Sequence, residues 1–463
     1  MSVTDASTVF QQTSVADQFA RARAVFATGR TKPISWRIAQ LEGLLRFVDD
    51  CESEIADAIS ADLGRGSMAT FMADVGPVRH EIRHTLADLH KWVKPTSIPI
   101  TAATAPGKAW SQPEPKGTVA ILGAWNFPLL LTIQPLVSAL AAGNTAVVKP
   151  SEISGTTADL IARRLPQHVD GEAVQVVCGG VETSAALLDL PFDHIFFTGS
   201  TTVGRLVMEA AAKHLSPVTL ELGGKSPVIV AADADIEVAA RRIAWAKSIN
   251  GGQACISPDY VLVEESVRPA LVSALLRELP ARAQHDSTRI VNRGHLERLR
   301  RLLDTHGGEQ FGGVIDDDKL TVSPALVTDP HPKSPLMTEE IFGPILPLVS
   351  VPSVAAAVRF VNDRPKPLSL YAFTGSGATE KLILDGTSSG SVGINQAMYQ
   401  ILVPELPFGG VGDSGMGRYH GRHGFDTFTH HKAVLRKPIS PDLSMTYPPY
   451  GSSMQRLLRK LMG

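Results

Sequence analysis

The stretch Asn250-Gly251-Gly252-Gln253-Ala254-Cys255 sets a thiol in a turn of small residues. A cysteine attacks carbon as the thiolate, and only where a substrate can reach it. The neighbouring glycines leave room for a substrate and let backbone N–H groups approach an oxyanion. By itself the stretch fits a buried structural cysteine as well. The other two cysteines are poorer candidates. Cys51 stands in Asp49-Asp50-Cys51-Glu52, where carboxylates oppose a thiolate. Cys178 ends an apolar strand and reads as packed.

Four further stretches carry groups that such a thiol could use. Glu221 lies in Val218-Thr219-Leu220-Glu221-Leu222-Gly223-Gly224, a carboxylate between leucines. Burying it is costly, so it is either paired with a cation or kept for proton transfer. Asn126, in Trp125-Asn126-Phe127-Pro128, follows a strand, and its amide could donate to a developing oxyanion or to its own loop. Phe197-Thr198-Gly199-Ser200-Thr201-Thr202-Val203-Gly204 is a glycine-containing turn that opens a helix, a place that attracts phosphate. Lys149-Pro150-Ser151-Glu152 puts a lysine at a strand end with a carboxylate three residues on, able to hydrogen-bond ribose hydroxyls.

The elements that must hold these groups follow from periodicity. Residues 16–94 place apolar side chains at helical spacing. Pro95 to Pro115, with five prolines, breaks the pattern and reads as an excursion, a hairpin. From Gly117 strands alternate with helices: strands at Thr118–Leu122, Thr145–Lys149, Val174–Val177 and His194–Phe197, helices at Leu129–Ala142, near Thr156–Leu165 and near Thr183–Leu188. A strand is expected through Leu220–Ser226. A second α/β pattern then runs to Phe408. Alternation of this kind implies parallel sheets covered on both faces, with ligands beyond the carboxyl ends of the strands. Asn126, Lys149 and Ser200 all fall at such ends.

These stretches occur in one order, and together the chain resembles the aldehyde dehydrogenase superfamily. The resemblance rests on Trp125-Asn126-Phe127-Pro128, Lys149-Pro150-Ser151-Glu152, Phe197-Thr198-Gly199-Ser200, Leu220-Glu221-Leu222-Gly223-Gly224-Lys225, Gly252-Gln253-Ala254-Cys255, Glu339-Glu340-Ile341-Phe342-Gly343-Pro344 and Leu406-Pro407-Phe408-Gly409-Gly410-Val411-Gly412. It covers residues 20–440. Ala211-Ala212-Lys213-His214-Leu215, Cys255-Ile256-Ser257-Pro258-Asp259-Tyr260 and Gly415-Met416-Gly417-Arg418-Tyr419-His420-Gly421 make it most similar to class 3, the dimeric NAD(P)-dependent members.

The resemblance implies a fold and a set of roles. The fold class is α/β: a Rossmann-like parallel-sheet cofactor domain (1–97 and 117–222), a second α/β catalytic domain (223–411), a small β oligomerisation arm (98–116 and 412–440) and a tail (441–463). Cys255 would be the nucleophile, Glu221 the general base and Asn126, with a backbone N–H, the oxyanion hole. Lys149 and Glu152 would hold the adenosine ribose. Gly199, Ser200 and Gly204 would meet the pyrophosphate. Trp125, Glu340 and Phe342 would attend the nicotinamide end. Phe408 and Tyr399 would line an apolar tunnel. The implied activity is oxidation of an aromatic or medium-to-long-chain aliphatic aldehyde to its acid through a thioester. Semialdehyde and CoA-acylating members, and a silent binding protein on the same fold, are the alternatives. A base at Glu221 favours hydrolysis over transfer to CoA. Glu152 beside Lys149 disfavours a 2′-phosphate, which favours NAD, with NADP possible. The chain departs from the class at Pro280–Ile290, which is short, and at Gln396–Val403, which leaves the aldehyde open.

Composition bounds the rest. The chain has 463 residues, 44% hydrophobic and 19% charged, and a net charge of −2, which gives nucleic acid no basic surface to bind. Three cysteines make no disulfide framework and suit a reducing, cytoplasmic setting. Met1–Val15 lacks the pattern of a signal peptide. Gly117–Val148 holds no charged residue, but Gly123, Asn126, Pro128, Gln134, Pro135, Gly143 and Asn144 divide it, so it reads as buried core and not as a membrane span. His420, His423, His430 and His431 form no ligand pattern and read as surface or interface residues, and no metal is expected. Met454, Leu457, Leu458, Leu461 and Met462 fall at helical spacing among Arg456, Arg459 and Lys460. That helix would pack on its own subunit or touch a membrane surface weakly. The partners that the resemblance implies are a small-molecule aldehyde and a second copy of the chain.

Overall fold

A computed structural model describes residues 14–101, 104–283, 288–440, 442 and 447–462, without the side chains of Leu461 and Met462. Met1–Thr13, where the N-terminal reading mainly falls, and residues 284–287 of the short connection lie outside the described residues.

The first sheet has six strands, in the spatial order Gly415–Met416, Val218–Glu221, His194–Thr198, Thr118–Leu122, Thr145–Lys149, Val174–Val176. All are parallel except Gly415–Met416. The chain starts at Thr118–Leu122, adds strands to one side, then crosses to the other at His194–Thr198. That reversal is a topological switch point, where the loops after adjacent strands diverge and leave a crevice. The strands Thr118–Leu122, Thr145–Lys149 and His194–Thr198 are buried throughout and rich in valine, isoleucine and phenylalanine, as a sheet covered on both faces requires. Helices Ile34–Asp50, Gly76–Trp92 and Leu130–Ala142 cover one face, with Leu44, Phe47, Ile82, Val119 and Leu136 in one core. Every residue of Leu130–Ala142 is buried, and Gly143, at φ 91°, stops it. Among the described residues no helix is long and apolar enough to cross a membrane.

The second sheet has seven strands, in the order Glu309–Gly312, Ala325–Thr328, Ile345–Val351, Tyr260–Glu264, Pro227–Val230, Ser369–Phe373, Ser391–Ile394, parallel but for the first. The expected strand Leu220–Ser226 is not continuous. It ends at Glu221, because the Leu222 N–H turns to Ser414 and Gly224 takes φ 150° before Pro227 enters the second sheet. The break sets Glu221 at the seam between the two sheets.

A third, antiparallel sheet joins Thr96–Ile98, Lys108–Pro115 and Thr429–Arg436. The proline-rich excursion is thus a hairpin, closed by the last strand. Gly415–Met416 and helix Gly421–Thr427, expected with that arm, instead join the first sheet and pack under helix Leu130–Ala142. Helix Ser452–Met462 is largely exposed.

Candidate functional site

Three loops meet at the seam. The first follows Thr118–Leu122 and carries Trp125 and Asn126. Asp74 fixes its base: one carboxylate oxygen accepts the Leu130 N–H at 2.8 Å, the other meets the Arg65 guanidinium at 2.6 Å. Arg65 also lies over the Phe127 ring, 5.1 Å from its centroid. Nothing in the sequence near Trp125 hints at this support from Arg65 and Asp74.

The second loop carries Cys255. Asn250, Gly251 and Gly252 have φ of 53°, 59° and 74° in succession, a left-handed run suited to asparagine and glycine. A Cβ at Gly252 would stand 2.3 Å from the Gly343 carbonyl oxygen. Side-chain amides clasp the two loops together. Asn250 Nδ2 donates to the Asn126 and Gln253 carbonyls, 3.0 Å each, and Asn126 Nδ2 donates to the Gln253 carbonyl at 3.2 Å. The sequence reading missed the part played by Asn250 and Gln253. Cys255 is partly exposed in this crowded seam. Burial pushes its thiol up to about 12, and the Glu340 and Glu221 carboxylates add to that by like charge.

Glu221 is 3% exposed, and neither carboxylate oxygen has a hydrogen-bond partner. Burial alone holds its carboxyl well above the ordinary range. The expected alternative, an ion pair, is not there.

The third loop carries Glu340 and Phe342 and is locked from three sides. Lys225 Nζ donates to the Leu336 and Glu339 carbonyls at 2.8 and 2.7 Å and to Asp259. Asp259 in turn accepts the Ile341 N–H at 2.9 Å. Arg298 donates to the Glu340 and Ile341 carbonyls. Phe342, at φ 53°, meets Trp125 edge-on, 5.5 Å between ring centroids. The Glu340 carboxylate lies over Gly223, where a Cβ would stand 2.2 Å from Oε2. Burial and nearby Asp259 push that carboxyl up to about 8, against the Gly224 N–H, Lys225 and Arg298.

Beyond the strand ends, Lys149 is buried and its Nζ lies 2.8 Å from Glu152 Oε2. Ser200 caps helix Thr201–Ala212 by accepting the Val203 N–H at 3.3 Å. A Cβ at Gly199 would stand 2.4 Å from the Phe197 ring. Gly204, expected at the pyrophosphate, lies inside the helix, where a Cβ would meet Leu222 at 2.6 Å. It sets the close approach of helix to strand.

Phe408 and Tyr399, expected to line one tunnel, lie in different places. Phe408 is buried, paired through its backbone with Tyr419 and stacked on His420 at 5.1 Å. Tyr399 is 49% exposed and stacks on Trp245 at 4.9 Å in an outer cleft of about 540 Å³. Tyr419 belongs to the inner group. Its hydroxyl is buried without a partner, and burial, then Glu221 and Cys255, raises it well above the usual range. The sequence offered Arg418-Tyr419-His420-Gly421 as a family stretch but no role for the phenol. His420, read as a surface residue, is buried, because its ring fills the space beside Phe408. His430 and His431 are exposed on the last strand. Cys51 is buried, and its sulfur accepts from Arg164 Nε at 3.4 Å, so its surroundings are not only acidic.

Residues 3–434 match the model of the "Aldehyde dehydrogenase family". The chain is 43% identical to the rat protein "Aldehyde dehydrogenase, dimeric NADP-preferring" over 96% of this chain and 99% of that one. It is 44% identical to human "Aldehyde dehydrogenase family 3 member B1", covering 96% of each. The solved structure "Substrate bound state of Staphylococcus Aureus AldH" superposes with a TM-score of 0.93 at 39% identity, over 96% of this chain and 99% of that one.

Proposed function

The chain belongs to the aldehyde dehydrogenase family and oxidises an aldehyde with NAD(P), and from that premise we propose that Cys255 is its nucleophile, Glu221 its general base and Asn126 its oxyanion donor. The observation that carries this reading is Glu221. A carboxylate held out of water with neither oxygen satisfied is a standing cost to the fold. Its place beside Cys255 gives that cost a use.

The residues fit a dinucleotide. The switch point of the first sheet, the capped helix N-terminus after Gly199 and the Lys149–Glu152 pair form a cradle beyond the strand ends. Lys149 and Glu152 would hold the adenosine ribose, the turn at Gly199–Ser200 the diphosphate, and Trp125, Glu340 and Phe342 the nicotinamide end. NAD(P), when bound, supplies the hydride acceptor that the protein lacks. Glu152 already pairs with Lys149, and its carboxylate would oppose a 2′-phosphate by like charge. We therefore take NAD to be the preferred form, although the rat relative is named NADP-preferring.

The chain's own groups then act in order. Cys255 attacks the aldehyde carbon as the thiolate, its proton having passed to solvent. The Asn126 amide turns from the Gln253 carbonyl to the new oxyanion, joined by the Cys255 N–H. After oxidation the acyl group remains on Cys255 as a thioester. Glu221, in its ionised form, takes a proton from water, the water oxygen attacks the acyl carbon, and Cys255 leaves as the thiolate. The preferred substrate is an aromatic or medium-to-long-chain aliphatic aldehyde.

We place the protein in the cytoplasm as a homodimer. Three free cysteines support a reducing setting. The three-stranded arm ends in open strand edges that a second copy can pair. Residues up to 97, 117–222 and 412–428 form the cofactor domain, and 223–411 the catalytic domain.

The test is reduced-nicotinamide absorbance with NAD or NADP and a panel of aromatic, aliphatic and semialdehyde substrates, on the wild type and Cys255→Ala. Reduction that vanishes in the variant is expected. Reduction that persists in it removes Cys255 from the mechanism.

A further inference from the structure

Helix Gly76–Trp92 of the first domain meets the loop before Phe408 of the second, and side chains from both converge there. On the helix, His84 and Asp88 stand one turn apart on one face. From the loop, Glu405 reaches across, and its Oε1 lies 2.7 Å from His84 Nε2. One donor atom from each of His84, Asp88 and Glu405 lies within 4.8 Å of the other two. An imidazole nitrogen with two carboxylate oxygens is a ligand set that suits divalent cations of the zinc type.

The imidazole is held from behind. Its ring packs against Trp92, 5.8 Å between centroids, and a Cβ at Gly421 would stand 3.3 Å from Nε2. The Gly421 N–H is in turn fixed by Glu81 Oε1 at 2.8 Å. Glu81 is 3% exposed, and its carboxyl feels the charges of His84 and Glu405. Three carboxylates thus surround one imidazole. Lys91, 2.5 Å from Asp88, is the one lysine or arginine paired with them among the described residues. Two surface pairs, Lys91 with Asp88 and His84 with Glu405, would satisfy these groups without an ion. That account leaves the approach of the pairs unexplained, since Asp88 and Glu405 repel each other.

We propose that His84, Asp88 and Glu405 form a binding site for a divalent cation of the zinc type, which staples the first domain to the second. The proton between His84 Nε2 and Glu405 leaves to solvent and the ion takes its place. Asp88 exchanges Lys91 for the ion, and water completes the four ligands. Tetrahedral zinc holds its ligand atoms about 3.3 Å apart, so Glu405, on an exposed loop, closes by on the order of 1 Å. The staple borders the inner group. Glu405 stands three residues before Phe408, and Gly421 follows His420, whose ring stacks on Phe408. The ion therefore stiffens the wall behind those rings and supplies no group to the reaction.

The test is calorimetric titration of Zn²⁺ into the full, untagged chain carrying Cys255→Ala, so that the reactive thiol does not take the ion. One ion per chain is expected. Excess Mg²⁺, which prefers oxygen ligands and keeps its waters, should not displace it. His84→Ala and Glu405→Gln in the same background should each weaken binding by about tenfold or more. Lys91→Gln removes the competing cation and should tighten it by up to about fivefold. Zn²⁺ should raise the thermal midpoint of the parent and leave that of Glu405→Gln unmoved. Glu405 is exposed, so that variant keeps its fold even where His84→Ala unsettles the helix. No saturable binding at one ion per chain, or an affinity that survives Glu405→Gln, overturns the site.

Discussion

Asp74 and Glu221 are both carboxylates shut away from water, and the fold treats them in opposite ways. Asp74, under the Trp125–Phe127 loop, is fully enclosed and fully engaged, with Arg65 on one oxygen and the Leu130 N–H on the other. Glu221, at the seam of the two sheets, is equally enclosed and has nothing. Desolvation raises both. At Asp74 a guanidinium and two N–H groups oppose the rise, whereas at Glu221 desolvation is the one cause. A saturated buried charge holds a loop in place, whereas an unsaturated carboxyl has no partner that fixes its protonation state.

Glu221→Gln should show the largest effect. Steady turnover should fall by about a thousandfold, within the range for a lost general base. The first burst of reduced cofactor should survive, with the acyl group trapped on Cys255. Stability should not fall with it. The folded pKa of Glu221 lies above its unfolded value, so the native state keeps a proton that the unfolded chain releases. Its contribution to stability therefore declines as pH rises from the ordinary carboxylate range through the folded value. Urea midpoints at about pH 5 and about pH 8 should converge in the variant relative to the wild type. A variant less stable than the wild type at the higher pH would mean that Glu221 has a partner after all.

Asp74→Asn reverses the expectation. It leaves Arg65 enclosed without a counter-charge, and breaking a buried pair costs about 3–5 kcal/mol. The urea midpoint should drop at constant slope. Turnover per folded molecule should fall less than in Glu221→Gln, because Asp74 holds the Asn126 loop without touching substrate. An unchanged midpoint would dissolve the contrast from the other side.

Between these two, Asn126→Ala tests a group that changes sides. In the resting site its amide is engaged with the Gln253 carbonyl, and in the reaction it must leave that bond for the oxyanion. We expect kcat lower by about 10²–10³ with the fold intact. Rates near the wild type would make Asn126 part of the clasp and nothing more.

Much of this was legible in the sequence because periodicity and local motifs report local structure. The strands of the first sheet, the capped helix after Ser200 and the hairpin at Pro95–Pro115 all depend on neighbours along the chain. The chamber's contents were legible as types, but not their pairing. Whether Glu221 has a partner depends on Gly224 turning the chain out of its strand, and the run Leu220–Ser226 gave no sign of that turn. His420 looked like a surface residue and Tyr419 had no role, because their burial is decided by Phe408 and Phe196, outside the local stretch. Phe408 and Tyr399 lie nine residues apart yet face different spaces, since Phe408 pairs with Tyr419 and Tyr399 with Trp245. Arg241 and Arg282 meet over one cleft only in the folded chain.

Ser200→Ala is the smallest effect and the finest test of the contrast. Its hydroxyl already accepts the Val203 N–H, as a structural cap does, although its O–H can still donate. Loss of such a cap costs about 1 kcal/mol of stability. The remaining N–H groups of the helix end would still face a diphosphate, so the dissociation constant for NAD should rise less than about tenfold, the ratio that 1.4 kcal/mol represents. A larger weakening with little loss of stability would put the hydroxyl on the diphosphate, and Ser200 would then side with Glu221 as a group kept for its ligand.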